Sequence, residues 1–273
     1  MRKLEYLAKR LLLAVLVLLG VSIITFILSR VVPSNPAALW VGPRPSQEQI
    51  AAARIHLGLD KPLYAQYFMY MSDLLRGDLG VSIHTHQPIL TELKTYLPAT
   101  LELVITGMIM AVVIGIPLGV LSGAKKDSLL DHTSRLLAVA GVSLPTFWMA
   151  LLLQFFFFGK LELLPLGSRV DREVFLFNPI QNITGFHVVD SLVSGNWEAL
   201  RSSLVHLILP AFTLSTYAIG LTIRMTRSTM IEVLEEGYIT AARAAGIPEC
   251  TILFRLALKN AIVPTLTVLT LSF

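Results

Sequence analysis

The chain has 273 residues, 54% of them apolar and only 15% charged, with a mean hydropathy of +0.69. Soluble domains carry about 25% charged residues, so the composition argues against an ordinary water-soluble domain and for a membrane protein. A modest net charge of +4 without a basic run interleaved with aromatics argues against a nucleic-acid surface, and the single Cys250 excludes an intrachain disulfide or a multi-cysteine metal site.

Residues 11–29 form an uncharged run between Arg10 and Arg30, just long enough to cross about 30 Å of hydrocarbon at about 1.5 Å per residue. Arg2, Lys3, Lys9 and Arg10 would also suit a signal peptide. The run is longer than a usual signal core, however, and no small-residue cleavage site follows, so it reads as a retained first helix.

The segment 31–98 reads as a small external helical cap. Ser46-Gln47-Glu48-Gln49 is a capping box whose helix should stop at Gly58. Pro62 opens a second helix that ends at Gly77, with Tyr64, Tyr67, Phe68, Met71, Leu74 and Leu75 as its apolar stripe.

Three further spans are expected at 100–122, 136–158 and 202–223. Thr100 is the expected cap of the first, with Glu102 in its opening turn. Pro117, Pro145 and Pro210 lie within or near these helices, which a membrane bundle tolerates. Gly107, Gly115 and Gly119 share one face and suit close helix packing. A fifth run begins near Ala261, and thirteen residues are too few to cross a bilayer, so the pattern reads as truncated within the fifth of six spans.

Lys and Arg number 12 in the 63 positions of 1–10, 122–135 and 224–262, against 9 in the 112 positions of 31–98 and 159–202. The positive-inside rule therefore places the first set in the cytoplasm. The expected organisation is 1–30 as N-terminal segment and first span, 31–98 as external cap, and 99–273 as transmembrane domain with a cytoplasmic insert at 224–262.

In that insert Ile231, Leu234, Tyr238, Ala241, Ala242 and Ala245 recur at helical spacing on one face, and Glu236, Thr240 and Arg243 lie on another. Gly246 should end this helix and Pro248 start the next, in which Leu253, Leu256, Ala257 and Asn260 oppose Arg255 and Lys259. The pair suits docking in a partner's groove, and periodicity alone serves equally well for a pair lying along the membrane surface. Cys250 reads as small apolar filler.

The chain resembles the permease subunit of the dipeptide/oligopeptide/nickel branch of ABC importers over essentially its whole length. The matching blocks are Leu57-Gly58-Leu59-Asp60-Lys61-Pro62-Leu63, Gly77-Asp78-Leu79-Gly80-Val81-Ser82, Leu97-Pro98-Ala99-Thr100-Leu101-Glu102-Leu103, Gly115-Ile116-Pro117-Leu118-Gly119, Ser143-Leu144-Pro145-Thr146-Phe147-Trp148, His206-Leu207-Ile208-Leu209-Pro210 and Arg224-Met225-Thr226-Arg227-Ser228. The resemblance implies an all-α polytopic fold, a type I permease-like helical bundle. It also implies a second permease subunit, two ATP-binding subunits and an extracytoplasmic solute-binding protein as partners. Its ATPase-coupling loop falls on Glu236, Tyr238, Thr240, Ala241, Ala242, Arg243, Gly246, Arg255, Asn260 and Pro264. Thr240 stands where the family's Glu-Ala-Ala signature has Glu, Ala245 where Lys is usual and Leu256 where His is usual. Pro33-Ser34-Asn35-Pro36 replaces Pro-Gly-Asp-Pro.

No phosphate loop is present, since Gly159-Lys160-Leu161 lacks the first glycine and the hydroxyl, so ATP hydrolysis is expected in partner subunits and no cofactor in this chain. Glu102 is the one Asp, Glu, Lys or Arg within an expected span, which weighs against a proton-coupled secondary transporter. His84-Thr85-His86 reads as solvated loop, and the Asn182-Ile183-Thr184 sequon as chance. The reading is an import permease for di- or oligopeptides. Nickel chelates or oligosaccharides are alternatives within the class, and a secondary transporter or a membrane scaffold lies outside it.

Overall fold

The computed structural model describes residues 2–30, 35–83 and 85–272. The expectations for Pro33, Ser34 and His84 lie outside the described residues. The chain divides into two compact units, Met1–Lys94 and Thr95–Phe273. Among the described residues four helices are long and apolar enough to cross a membrane, or five if one bent pair counts as a single span.

The first unit holds α1 (Arg2–Arg30), α2 (Pro36–Val41), α3 (Gln47–His56) and α4 (Leu63–Leu75). Most side chains of α1 are uncovered, as a lipid-facing helix requires. Phe26 is the exception, buried edge-on against Tyr67 at 5.4 Å between ring centroids. Ser22 and Tyr67 share a hydroxyl hydrogen bond of 2.8 Å, and Arg30 donates to the Leu57 carbonyl at 3.0 Å.

Both bonds of the Ser46–Gln49 capping box are present. Gly58 and Gly77 take the left-handed conformation that stops α3 and α4, at φ +64° and +81°. The expected stripe on α4 divides: Tyr67 packs inward, whereas Tyr64, Phe68 and Leu75 stay exposed. His86 sets its ring against Trp40.

The second unit is organised around one long helix. Its elements are α5 (Ile89–Ala124, starting in the first unit), α6 (Leu129–Ser143), α7 (Thr146–Lys160), α8 (Arg172–Phe177), α9 (His187–Val193), α10 (Trp197–Leu234), α11 (Gly237–Ala244) and α12 (Glu249–Leu271). At 38 residues, α10 is about 57 Å long, well over the hydrocarbon thickness. α5, α6 and α12 pack along it.

Glycines let the backbones close in. A Cβ on Gly115, Gly119 or Gly123 of α5 would lie 2.7, 2.5 or 2.8 Å from the Cβ of Thr222, Thr226 or Met230 on α10. On the α6 side, Gly141 meets the Thr216 carbonyl and Gly220 the Ala138 carbonyl just as closely. Small residues three and four apart thus serve as the contact seam. Threonines join α10 to α12: Thr226 bonds Thr265, and Thr229 donates to the Ala261 carbonyl at 2.9 Å.

Three expectations are corrected. Residues 136–158 are not one straight span: the chain bends by 113° between α6 and α7. Leu144, which precedes Pro145, is extended at φ −83°, ψ 133°, as a residue before proline prefers. Thr100 caps nothing, because α5 runs through Pro98 and the Thr100 hydroxyl donates back to the Tyr96 carbonyl. The fifth run does not start at Ala261. α12 is continuous for 23 residues from Glu249, about 35 Å, and Arg255 and Lys259 stay exposed on it while Ile252, Ala257, Ala261, Thr265 and Leu269 are buried.

Gly119→Val should destabilise the second unit by about 1–3 kcal/mol through forced separation of α5 from α10. Gly20→Val, where an added Cβ meets nothing within 4 Å, should leave the thermal midpoint in detergent unchanged. Equal midpoints for the two variants would contradict the seam.

Candidate functional site

α10 ends at Leu234, and Glu235 and Glu236 turn the chain into α11. Ala245 caps α11, and Gly246 follows at φ +74°. The Ile247 N–H reaches the Ala242 carbonyl at 3.2 Å and the Gly246 N–H the Arg243 carbonyl at 3.0 Å, the paired bonds of a Schellman stop. Pro248 then starts α12.

The inward side of this turn is a socket. Ile239 and Ala242 of α11 sit with Met230 of α10, Ile252, Ala257 and Ala261 of α12, and Ile116 and Val120 of α5 in one buried apolar cluster. Tyr238, Ala241 and Ala245, expected on the apolar face, are exposed instead. The break at 235–236 resets the helical phase, so the repeat does not run on from Ile231.

Eight of the ten expected coupling residues are therefore on the surface: Glu236, Tyr238, Thr240, Ala241, Arg243, Gly246, Arg255 and Asn260. Ala242 is part of the socket, and Pro264 is half-buried within α12. The surface is braced by two contacts. Asn260 donates to the Tyr238 hydroxyl at 2.8 Å, and Arg243 pairs with Glu249 at 2.7 Å. Cys250 is exposed and fills no core.

An ion pair absent from the sequence reading lies at the base of this assembly. Asp131, fully buried, accepts from Arg227 Nε at 2.5 Å and Nη2 at 2.8 Å, from the Ser122 hydroxyl at 2.5 Å and from the Asp127 N–H at 3.0 Å. One carboxylate thus ties the end of α5, the 125–128 turn, α6 and α10 together. Arg227 stands in a block that carried the resemblance, but its partner is 96 positions away and no spacing rule links them.

A second pair, with a buried carboxylate and a part-exposed guanidinium, lies toward the other end of α10. Glu102 accepts from Arg169 at 2.6 Å and from the Val188 N–H at 2.7 Å, and Arg169 also donates to the Gly185 carbonyl. Asp190 ties down the same loop by accepting from the amides of Ile183, Thr184 and Gly185 and from the Thr184 hydroxyl. Burial raises the Asp190 carboxyl, but these hydrogen bonds outweigh it and hold it below its ordinary value. Asn182 and Thr184 of the sequon thus sit in this strap.

Beside Glu102 a cleft of about 280 Å³ is lined by Leu103, Arg169, Ser203, His206, Leu207 and Pro210, among others. His206 and Arg227 are 21 positions apart on one helix, about 31 Å. The two polar clusters are therefore separated by about the thickness of a hydrocarbon core.

Residues 115–273 match the family described as binding-protein-dependent transport system inner membrane component, and residues 3–104 match its N-terminal family. The chain belongs to this family. It is 46% identical to a probable D,D-dipeptide transport system permease protein of Escherichia coli K12, over 94% of this chain and 75% of that protein. It is 41% identical to a dipeptide transport system permease protein of Alkalihalophilus pseudofirmus, over 98% of this chain and 80% of that one. A di/tripeptide permease of Pseudomonas aeruginosa is 40% identical over 97% of this chain and 78% of its own length.

Arg227→Ala would strip the buried Asp131 of its bidentate partner and leave only the part-exposed Arg135 at 3.8 Å, at a cost of about 3–5 kcal/mol. Asp131→Leu combined with Arg227→Met should recover most of that loss, read as the thermal midpoint of the detergent-solubilised protein. A double variant as unstable as the single one would contradict the assignment.

Because the folded Asp190 carboxyl titrates below its unfolded value, its contribution is present above about pH 3.9 and is lost as pH falls further. The protection of the 183–185 amides, relative to their intrinsic exchange, should be lost in the wild type as pH falls through the lowered folded value. In Asp190→Asn it should already be fast at pH 7.

Proposed function

We infer that this chain is the permease subunit of an ATP-driven importer of di- and oligopeptides, with its N terminus and the 224–262 insert in the cytoplasm. The observation that carries the reading is the build of α11. Its inner face is locked into the membrane helices, while its outer face presents exposed charged and hydrogen-bonding side chains. Peptide as the cargo rests on the relatives, which are named as dipeptide or di/tripeptide permeases.

The geometry supports direct mechanical coupling. A load on Tyr238, Ala241 or Arg243 passes through Ile239 and Ala242 into the socket. There it reaches α10 at Met230 and α12 at Ile252 and Ala257. α12 is helical without a break from Glu249 to Leu271, so movement of the surface end is passed toward the membrane end. Thr240 stands in place of the usual carboxylate, so in this chain contact with an ATPase falls on Glu236, Arg243, Arg255 and the Tyr238–Asn260 pair. Glu236, Arg243, Glu249, Arg255 and Lys259 on the exposed side favour a soluble partner over a helix pair lying in lipid. ATP hydrolysis then belongs to two partner subunits, and a second permease subunit and an extracytoplasmic solute-binding protein complete the assembly. The 31–98 segment serves as an external cap and 99–273 as the transmembrane domain.

The test is ATP-dependent dipeptide uptake into proteoliposomes holding the chain with its partners. Gly246→Val should leave ATP hydrolysis within about twofold of wild type and lower uptake by more than tenfold. The strain is backbone strain of about 1–2 kcal/mol, since no atom lies near the added Cβ. Gly246→Asn, which tolerates the left-handed region, should retain most uptake. Uptake by Gly246→Val at the wild-type rate would remove the turn from the coupling path.

Orientation is checked separately, with single cysteines at Ser46 and Glu235 in a Cys250→Ser background. An impermeant thiol reagent on intact cells should label the first and not the second. The opposite pattern would reverse the topology.

A further inference from the structure

Arg135 of α6 carries a charge that the fold leaves over. The Asp131 carboxylate is already met by the Arg227 fork, the Ser122 hydroxyl and the Asp127 amide. Arg135 comes no nearer to it than 3.8 Å, and its side chain is 45% exposed. Its Nη2 instead contacts Nδ1 of His132, which is exposed as well. A guanidinium only donates, so Nδ1 accepts and the other ring nitrogen, Nε2, carries the imidazole proton. Arg135 Nη1 and His132 Nε2 make no hydrogen bond among the described residues, so two neighbouring donors remain on exposed side chains.

Depth decides what these donors meet. Asp131 of α6 meets Arg227 of α10, and Ala138 meets Gly220. The interval is the same on both helices, so they run antiparallel in step. Arg135 is then level with Ile223, one helical turn or about 6 Å deeper than the Asp131–Arg227 pair. Leu136 follows His132 and Val139 follows Arg135 at the four-residue spacing of one helix face, and both are exposed. Going inward, this face changes from basic to apolar, as a phospholipid changes from phosphate to acyl chain. An exposed cation at the edge of the hydrocarbon is costly without a counter-charge, and a lipid phosphate supplies one. Lys125 and Lys126, exposed on the preceding turn, add to the positive potential, while the charge of Asp127 on that turn acts on Arg227.

We propose that Arg135 and His132 form a head-group site for an anionic phospholipid. Its phosphodiester oxygens are taken by Arg135 Nη1 and His132 Nε2, and an acyl chain lies along Leu136 and Val139. A guanidinium beside a ring N–H offers donors to both non-bridging oxygens, and the two lysines favour an anionic head group over a zwitterionic one. The site requires α6 to lie in the membrane and is independent of cargo and ATPase.

The test is photolabelling of the complex purified from membranes in mild detergent. The probe is phosphatidylglycerol with a diazirine in one acyl chain, compared with phosphatidylcholine bearing the same chain, and mass spectrometry reads the label on residues 129–142. Phosphatidylglycerol should label this segment about tenfold more than phosphatidylcholine. Arg135→Gln should bring it down to the phosphatidylcholine level, and Lys160→Gln, at the far end of α7, should leave it unchanged. If Arg135→Gln lowers the thermal midpoint, His132→Ala must show the same selective loss. Equal labelling by the two lipids, or undiminished phosphatidylglycerol labelling in both variants, would overturn the site. So would an unlabelled 129–142 segment, the result expected if another subunit covers α6. Full competition by inorganic phosphate would also overturn it, since the site would then hold a free anion and not a lipid.

Discussion

Close backbone approach along α10 is the constraint on which the second unit depends. Gly115, Gly119 and Gly123 on one side and Gly141 and Gly220 on the other leave no room for a methyl group, because threonine side chains or carbonyl oxygens already occupy the space. In lipid the hydrophobic effect does not drive helices together, so contact of this kind must supply the association. It also fixes register. With α5 and α6 held at these points, Asp131 is brought to Arg227 and Glu102 to the 169–188 loop, and Ile116 and Val120 become part of the socket under α11.

The two ion pairs, each built on a buried carboxylate, read differently in this light. A buried pair is weak evidence for stability, since desolvation offsets much of its attraction, but it discriminates strongly between arrangements. Asp131 accepts from three other elements at once, so a slip of α10 by one turn would remove its bidentate partner and leave only Arg135, at 3.8 Å, beside the charge. The Glu102–Arg169 pair does the same for the loop at the far end. Between them the buried polar groups of α10 are neutral, such as Thr213, Ser215 and Thr222, and Arg224, within a turn of Arg227, is exposed. Charge is thus confined to levels about 31 Å apart, where a bilayer tolerates it. The insert is seated directly on the Asp131 end through Met230.

What could be read from the residues was mostly local. The capping box at Ser46, the stops at Gly58 and Gly77, the glycine face of α5 and the Gly246–Pro248 turn each follow from rules acting over a few positions, and each is present. The family resemblance, carried by short ordered blocks, is matched along almost the whole chain. Features that depend on distant partners were not legible. Asp131 and Glu102 find arginines 96 and 67 positions away, and the bend at Pro145 looked like one more proline tolerated in a span. The face of α11 was misplaced because a short break at Glu235 and Glu236 rotates everything after it. The start of α12 was placed late because Arg255 and Lys259 lower the local hydropathy although they lie on its exposed side.

The central claim is that α11 is a rigid lever seated by Ile239, and the most direct measurement is the number of ATP molecules hydrolysed per dipeptide imported by the Ile239→Ala complex. Removing that side chain from the socket costs about 2–5 kcal/mol of local packing without altering any exposed residue of the surface. The expected result is a several-fold rise in ATP consumed per peptide, with ATPase activity retained. A ratio equal to that of the wild type would contradict it.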